Sequence, residues 1–101
     1  MRERDIEAYL VQRVKAMGGE VRKVQWIGRR GAPDRLVMLP PELLEIGDQR
    51  EDSVAQTIWV ELKAPGKVAE PHQLREHTRM RNMGQHVLVI DSLAGVEALL
   101  S

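Results

Sequence analysis

The sequence predicts an α/β domain, in which a mixed sheet is flanked by helices, with elements in the order α-β-β-β-α-β and a short closing helix. Two observations carry this prediction. Apolar residues recur at helical spacing near the N-terminus, and four short apolar stretches rich in Val, Ile and Trp follow. Glycine or proline separates most of these segments. Because 101 residues support one modest core, residues 1–101 are predicted to form a single domain.

The first half of the chain predicts one helix and two strands. The helix spans residues 3–17, where an apolar stripe runs along one face, and it ends at Gly18-Gly19. A strand is predicted over 20–27 (EVRKVQWI). After a glycine-rich turn, a second strand spans 34–39 (DRLVML) and stops at Pro40-Pro41.

The second half begins with an acidic stretch, 42–56, which is predicted to be a surface insertion. A third strand is predicted over 57–63, and a helix runs from Pro71 to about Met83. The stretch 86–91 (HVLVID) is apolar enough to predict a central strand, and a short helix closes the chain. Three successive strands favour an antiparallel meander, and the fourth strand is expected to join through a helical crossover.

Composition excludes several classes of protein. The chain has no cysteine, so neither disulfides nor thiolate metal sites are available. The N-terminus is charged and lacks the apolar stretch of a signal peptide. No run approaches the roughly 18 apolar residues of a membrane span. We therefore expect no membrane partner and a location in the cytoplasm.

Charge is unevenly distributed along a chain whose formal net charge is zero. Residues 1–41 hold nine Lys/Arg and five Asp/Glu, a balance of +4. Residues 42–61 hold one and six, a balance of −5, and residues 62–101 hold five and four, a balance of +1. The pattern is compatible with a local phosphate-binding surface, and equally with an ordinary mixed surface.

Three charged residues are predicted to converge at one edge of the sheet. Glu61 and Lys63 are two positions apart on one strand, so their side chains project from the same face. If the second and third strands are antiparallel neighbours, Asp34 at the start of one lies beside the end of the other. The alternative is a solvent-exposed ion pair, which contributes little.

Two carboxylates and an amine at one point suit a hard divalent cation acting on phosphate. Mg²⁺ or Mn²⁺ would be held by Asp34 and Glu61, with the main-chain carbonyl of Leu62 as a further ligand. Such a cation polarises phosphoryl oxygens, and Lys63 would orient the attacking water or stabilise developing negative charge.

The motif around these residues resembles that of a known nuclease superfamily. Pro33-Asp34 followed by Glu61-Leu62-Lys63 is similar to the PD-(D/E)XK motif. More narrowly, GRRGAPDRLVMLP followed by IWVELKAPGK, with Gln73 at the start of the next helix, resembles the VRR-NUC (virus-type replication-repair nuclease) family. The resemblance covers nearly the whole chain and is closest to the small stand-alone type of phages and bacteria. It implies a restriction-endonuclease-like core.

The resemblance also implies an activity and further site residues. The family implies a metal-dependent DNA endonuclease that acts as a homodimer on branched duplex DNA, particularly four-way (Holliday) junctions. Its helical glutamate corresponds best to Glu7, as a catalytic and second metal-binding carboxylate, and Glu3 is the competing assignment. Gln73 is implied as a site residue that contacts water or phosphate. His77, one turn further along, is not included in the predicted site.

Basic residues near the turn are candidates for binding the DNA backbone. Arg29, Arg30 and Arg35 flank the glycine-rich turn, and Lys67 follows the third strand. Each is equally compatible with a solvated surface charge. One Tyr, two Trp and no Phe leave little for stacking bases, which favours recognition of duplex shape. No nucleotide cofactor is expected.

Two alternatives remain open at this point. The same site would serve a nicking or flap nuclease that needs a partner for targeting. A non-catalytic DNA-binding subunit would keep the fold without cutting. The acidic insertion at 42–56 bears on substrate preference, because it lies next to the predicted site strands in sequence.

Overall fold

The α/β architecture is confirmed by a computed structural model, which describes residues 1–41 and 56–101. Three helices and four strands follow the predicted order. The helices are α1 (Glu3–Ala16), α2 (Pro71–Asn82) and α3 (Leu93–Leu100), and the strands are β1 (Glu20–Lys23), β2 (Arg35–Leu39), β3 (Gln56–Leu62) and β4 (His86–Ile90).

The sheet is mixed, with the strands in the order β1-β2-β3-β4. β1 pairs antiparallel with β2, and β2 pairs antiparallel with β3, as a meander requires. β4 pairs parallel with β3 after the chain has passed through α2. Both the meander and the helical crossover are therefore as predicted.

β3 divides its side chains between the two faces of the sheet. Ile58, Val60 and Leu62 are buried in the main core with residues of α1 and α3. Glu61 lies on the opposite face, where it contacts α2 through Gln73. Because side chains alternate along a strand, one face of β3 packs in the core and the other face carries Glu61.

Helices α1 and α3 pack together on the core face. α1 contributes Ile6, Leu10 and Val14, all fully buried, and α3 contributes the buried Val96.

A polar cluster at the surface also ties α1 to α3. The hydroxyl of Tyr9 donates to Glu97 Oε2 at 2.5 Å, and Arg13 Nε donates to the same oxygen at 2.7 Å. The hydrogen bonds from Arg13 and then from Tyr9 lower the pKa of Glu97 to about 2.

β1 is shorter than predicted, because the chain leaves the sheet after Lys23. The N–H of Val24 still donates to the carbonyl of Asp34 at 2.9 Å. Trp26 then folds over the turn, where its Nε1 donates to the carbonyl of Pro33 at 2.8 Å. Its ring packs against that of Trp59, with the centroids 5.1 Å apart. The apolar alternation that predicted a strand to residue 27 instead reflects this contact.

The prediction that 86–91 forms a central strand is wrong. Within the described residues β4 is an edge strand, paired with β3 alone. Val87 and Ile90 are buried, whereas Leu88 and Val89 are 39% and 37% exposed. Because Val87 and Ile90 are three positions apart, one packs on each face of the sheet, so the apolar run reflects packing on both faces of an edge strand rather than pairing at both of its edges.

The acidic insertion predicted at 42–56 lies outside the described residues, except for Gln56, which begins β3. Among the described residues, no helix combines the length and apolar character that crossing a membrane requires.

Candidate active site

Two carboxylates lie opposite each other where β2 begins and β3 ends. Arg35 pairs with Val60 in the antiparallel register, so the next position along places Asp34 opposite Glu61. The Asp34 side chain is 59% exposed, and that of Glu61 is only 12% exposed. The two acids therefore differ in their contact with water although they share one edge of the sheet.

The surroundings of Glu61 oppose its ionisation. Burial is the main cause, and together with the negative charges of Asp34 and Glu3 it raises the pKa of Glu61 to about 7. The positive charges of Lys63 and Arg35 act in the opposite direction. A half-buried carboxylate beside a second acid is a site where an added cation is favoured.

Gln73 holds Glu61 from the first turn of α2. Its Oε1 accepts from the main-chain N–H of Glu70 at 2.7 Å, as part of a capping box. This bond fixes the orientation of the amide, so that Nε2 faces the sheet and donates to Glu61 Oε2 at 3.2 Å. The structure thus brings Gln73 to the predicted site, with the carboxylate of Glu61 as its direct partner.

Lys63 and Leu62 follow Glu61 at the end of β3. The N–H of Lys63 donates to the carbonyl of Ile90 at 2.9 Å, which anchors the backbone just beyond the strand. The positive charge of Lys63 lowers the pKa of Glu61, opposing the effect of burial. The Leu62 side chain is buried in the core, so Leu62 can contribute to the site only through its main-chain groups, of which the carbonyl oxygen is the possible metal ligand.

Arg35 links the carboxylate of α1 to Asp34. Its Nε donates to Glu7 Oε2 at 2.5 Å, and its NH1 lies 2.9 Å from Asp34 Oδ1. The Arg35 side chain is only 13% exposed, a placement that favours holding these acids over contacting DNA. Glu7 therefore lies beside the start of β2 through its ion pair with Arg35, while Glu3 acts on Glu61 by its charge.

The one acidic residue of α2, Glu76, binds two arginines beside the site. Glu76 is buried, and its Oε1 accepts from Arg79 NH2 at 2.7 Å and from Arg79 Nε at 2.9 Å. Arg29 Nε lies 3.5 Å from Glu76 Oε2. Both arginine side chains remain about half exposed. Arg30 and Lys67 are exposed as well.

The glycine-rich turn is pressed against the start of α2. Gly31 has a φ of +88°, and a Cβ atom there would lie 2.9 Å from the His72 carbonyl and 3.2 Å from Gln73 Cα. Only glycine fits both constraints. This close approach connects the segment that carries Asp34 to the helix that carries Gln73.

Comparison with known proteins identifies the family to which this chain belongs. The chain is 44% identical over 92 residues to "Putative nuclease p44" of Acyrthosiphon pisum secondary endosymbiont phage 1, covering 91% of this chain and 85% of the phage protein. A solved structure described as a VRR_NUC domain matches with a TM-score of 0.74 and 37% identity, covering 97% of this chain and 92% of the other. The chain belongs to the VRR-NUC nuclease family. No protein-family model matches it.

The VRR-NUC fold implies a metal cofactor, and the residues present fit one. Among the described residues, no three His, Asp or Glu side chains converge on one point. The available donors are the opposed pair Asp34 and Glu61, with main-chain carbonyl oxygen nearby. This set suits Mg²⁺ or Mn²⁺, which are held by one or two carboxylates and complete their coordination with water and phosphate.

His77, which the sequence prediction left out of the site, also lies beside Glu61. It is fully buried, its Nε2 lies 3.6 Å from Glu61 Oε1, and neither ring nitrogen has a hydrogen-bond partner in the part of the chain that the structure describes. Burial lowers its pKa, and the charges of Arg81 and Lys63 act in the same direction. Its position four residues after Gln73, on the same helix face, is the sequence signal that points to it.

Proposed function

We propose that this VRR-NUC protein is a Mg²⁺- or Mn²⁺-dependent endodeoxyribonuclease that hydrolyses phosphodiester bonds in branched duplex DNA. The observation that carries the proposal is the opposition of Asp34 and Glu61 across two strands, with Lys63 two residues further along the same face. We further propose that residues 1–101 act as one domain, in the cytoplasm of a bacterium or of its phage-infected host.

Each site residue has a proposed task. Asp34 and Glu61 hold the divalent cation, with the Leu62 carbonyl assisting, and Gln73 fixes the orientation of Glu61. When bound, the cation neutralises charge on the scissile phosphate. The Lys63 ammonium orients the attacking water and stabilises negative charge that develops on the phosphoryl oxygens.

Helix α1 supplies a further carboxylate in this proposal. Glu7 is the stronger candidate, because its ion pair with Arg35 connects it to Asp34. Glu3 is the competitor, because its charge raises the pKa of Glu61. Comparing cleavage by Glu7→Gln and Glu3→Gln separates the two assignments, and the larger loss identifies the site residue.

The arginines beside the site support binding to the DNA backbone. Arg29, Arg30 and Lys67 are exposed, and Arg29 is oriented by the buried Glu76. Contacts of this type position DNA without reading its sequence. We propose that a homodimer cuts four-way junctions, because paired cuts need two sites and a twofold dimer matches the symmetry of that substrate.

The test compares cleavage of labelled four-way junctions, flaps and linear duplexes in Mg²⁺, Mn²⁺ or EDTA. Wild type is compared with Lys63→Ala and with Lys15→Ala, a control at an exposed position at the end of α1. Paired symmetric cuts in the junction, abolished by EDTA and by Lys63→Ala alone, are the expected result. Sedimentation analysis of the same samples measures the dimer.

Other outcomes identify the remaining candidates. Single nicks, or preferential cutting of flaps, would replace the junction assignment with a nicking or flap nuclease. Junction binding without cleavage in either metal would contradict the enzymatic proposal and favour a non-catalytic DNA-binding subunit.

A further inference from the structure

His77 occupies an unusual position for a histidine that serves packing alone. Its side chain is completely buried, and both ring nitrogens lack a hydrogen-bond partner among the described residues. A buried polar group left unpaired destabilises the folded state. An apolar side chain of similar size would fill the same space without that cost.

The nearest acceptor to His77 is the carboxylate of the site. Nε2 lies 3.6 Å from Glu61 Oε1, just beyond hydrogen-bond distance. Gln73, one helical turn earlier, already donates to the other oxygen, Oε2. Each oxygen of Glu61 therefore faces a nitrogen from the same side of α2.

We infer that His77 is a positioning residue, which donates its Nε2–H to Glu61 and, together with Gln73, fixes both oxygens of that carboxylate. A small movement of Glu61 toward α2 closes the 3.6 Å gap to a hydrogen bond. The remaining lone pairs of Glu61 then point away from the helix, toward Asp34. This inference rests on the proposed function, because fixing Glu61 matters most when the two acids hold a cation.

The arrangement has a physical rationale in metal sites generally. Hydrogen bonds to a ligating carboxylate set its orientation, and losing one such partner costs about 10–100-fold in metal affinity or activity. Neutral imidazole carries one N–H, so the inference requires the Nε2–H tautomer. The opposite tautomer would direct a lone pair at the carboxylate.

Three variants test the inference in the full chain. The side-chain N–H of glutamine lies at about the position of imidazole Nε2, and that of asparagine lies at about the position of Nδ1. Methionine has no hydrogen-bond donor. We expect His77→Gln to stay close to wild type. His77→Asn and His77→Met should weaken Mn²⁺ binding, measured by calorimetry, by about 10–100-fold. Met80→Leu, a buried neighbour one turn along α2, is the matched control.

Stability distinguishes positioning from packing. Because His77→Met removes an imidazole whose Nδ1 lacks a partner among the described residues even when Nε2 donates to Glu61, its melting temperature should stay close to or exceed that of wild type while Mn²⁺ affinity falls. Wild-type Mn²⁺ affinity in His77→Met, or an affinity loss only in proportion to lost stability, would overturn the inference.

Nitrogen NMR of the imidazole provides a readout independent of catalysis. We expect a neutral Nε2–H tautomer whose signal shifts in Glu61→Gln. A proton on Nδ1, or a signal insensitive to Glu61→Gln, would overturn the contact. If wild type neither binds Mn²⁺ nor cuts DNA, the proposed function fails and the cation role of His77 with it, while this spectrum still decides the contact itself.

Discussion

A Cβ atom on Gly31 would lie 2.9 Å from the carbonyl oxygen of His72. The glycine-rich turn therefore rests on the first turn of α2 with no room for a side chain between them. Since β2 leaves this turn with Asp34, and α2 carries Gln73 beside His72, the contact sets the spacing between two parts of the site.

Substituting Gly31 should damage both stability and the site, and Gly28 provides the control. Both glycines have positive φ, but a Cβ on Gly28 would have no atom of the described residues within 4 Å. We expect Gly28→Ala to cost about 1–2 kcal/mol from backbone conformation alone. Gly31→Ala should lower the free energy of unfolding by about 1–3 kcal/mol more than Gly28→Ala does, because the backbone of His72 and Gln73 must move to make room for the Cβ atom. Urea unfolding measures both.

The Trp26–Trp59 pair reports where the damage from Gly31→Ala lies. These are the only two tryptophans of the chain, and they pack beside the same turn. A changed near-ultraviolet circular dichroism signal in Gly31→Ala, with wild-type signal in Gly28→Ala, is expected. Equal destabilisation by the two substitutions would contradict the close packing of Gly31.

Replacing Glu61 by glutamine should stabilise the metal-free protein while abolishing cation binding. The pKa of Glu61 is raised from 4.5 to about 7, so folding loses stability as pH rises from about 4.5 through 7. At pH 8 without divalent cation, Glu61→Gln should melt about 4 °C or more above wild type, and the difference should shrink toward pH 5.

Cation addition provides the second half of this comparison. Mn²⁺ should raise the melting temperature of wild type at pH 8 and leave that of Glu61→Gln unchanged. Glu20→Gln, on the edge strand β1, is the control and should respond as wild type does. An equal Mn²⁺ response in all three proteins would exclude Glu61 as a ligand.

The Glu97 cluster predicts a specific acid sensitivity. The pKa of Glu97 is lowered from 4.5 to about 2 by Arg13 and Tyr9, so its contribution is present above about pH 4.5 and is lost as pH falls through 2. Glu97→Gln should therefore be less stable than wild type at pH 7, and the stabilities of the two proteins should converge as the pH falls below about 2. Chemical denaturation across this pH range measures the difference in the free energy of unfolding. If wild type and Glu97→Gln lose stability equally as the pH falls, the prediction is refuted.

Arg29 should make one phosphate contact in the DNA complex. Arg29→Ala should weaken junction binding and reduce the slope of log K against log salt by about 1. Fluorescence anisotropy in EDTA measures binding without cleavage. Arg22→Ala, on strand β1 with Glu20 as its ion-pair partner, should leave the slope unchanged. Equal slopes for wild type and Arg29→Ala would remove Arg29 from the DNA surface.

The order of elements and the opposition of Asp34 and Glu61 were predictable from the sequence. Glycine and proline mark the main breaks, and the strand period of two with an antiparallel pairing brings the acids together. The sequence indicates which face of α2 carries His77 but not which strand that face meets, so the contact with Glu61 was not predictable. The pairing of Arg35 with Glu7 likewise depends on where α1 packs.

The pairing register of strand β3 determines both the geometry of the site and the stability of the fold. A slip of one residue in its pairing would turn Ile58, Val60 and Leu62 toward the open face and drive the charge of Glu61 into the core. A molecule with misaligned acids would therefore also be a molecule without a hydrophobic interior. A chain that has folded to a stable state has therefore already placed Asp34 and Glu61 in the register that the site requires.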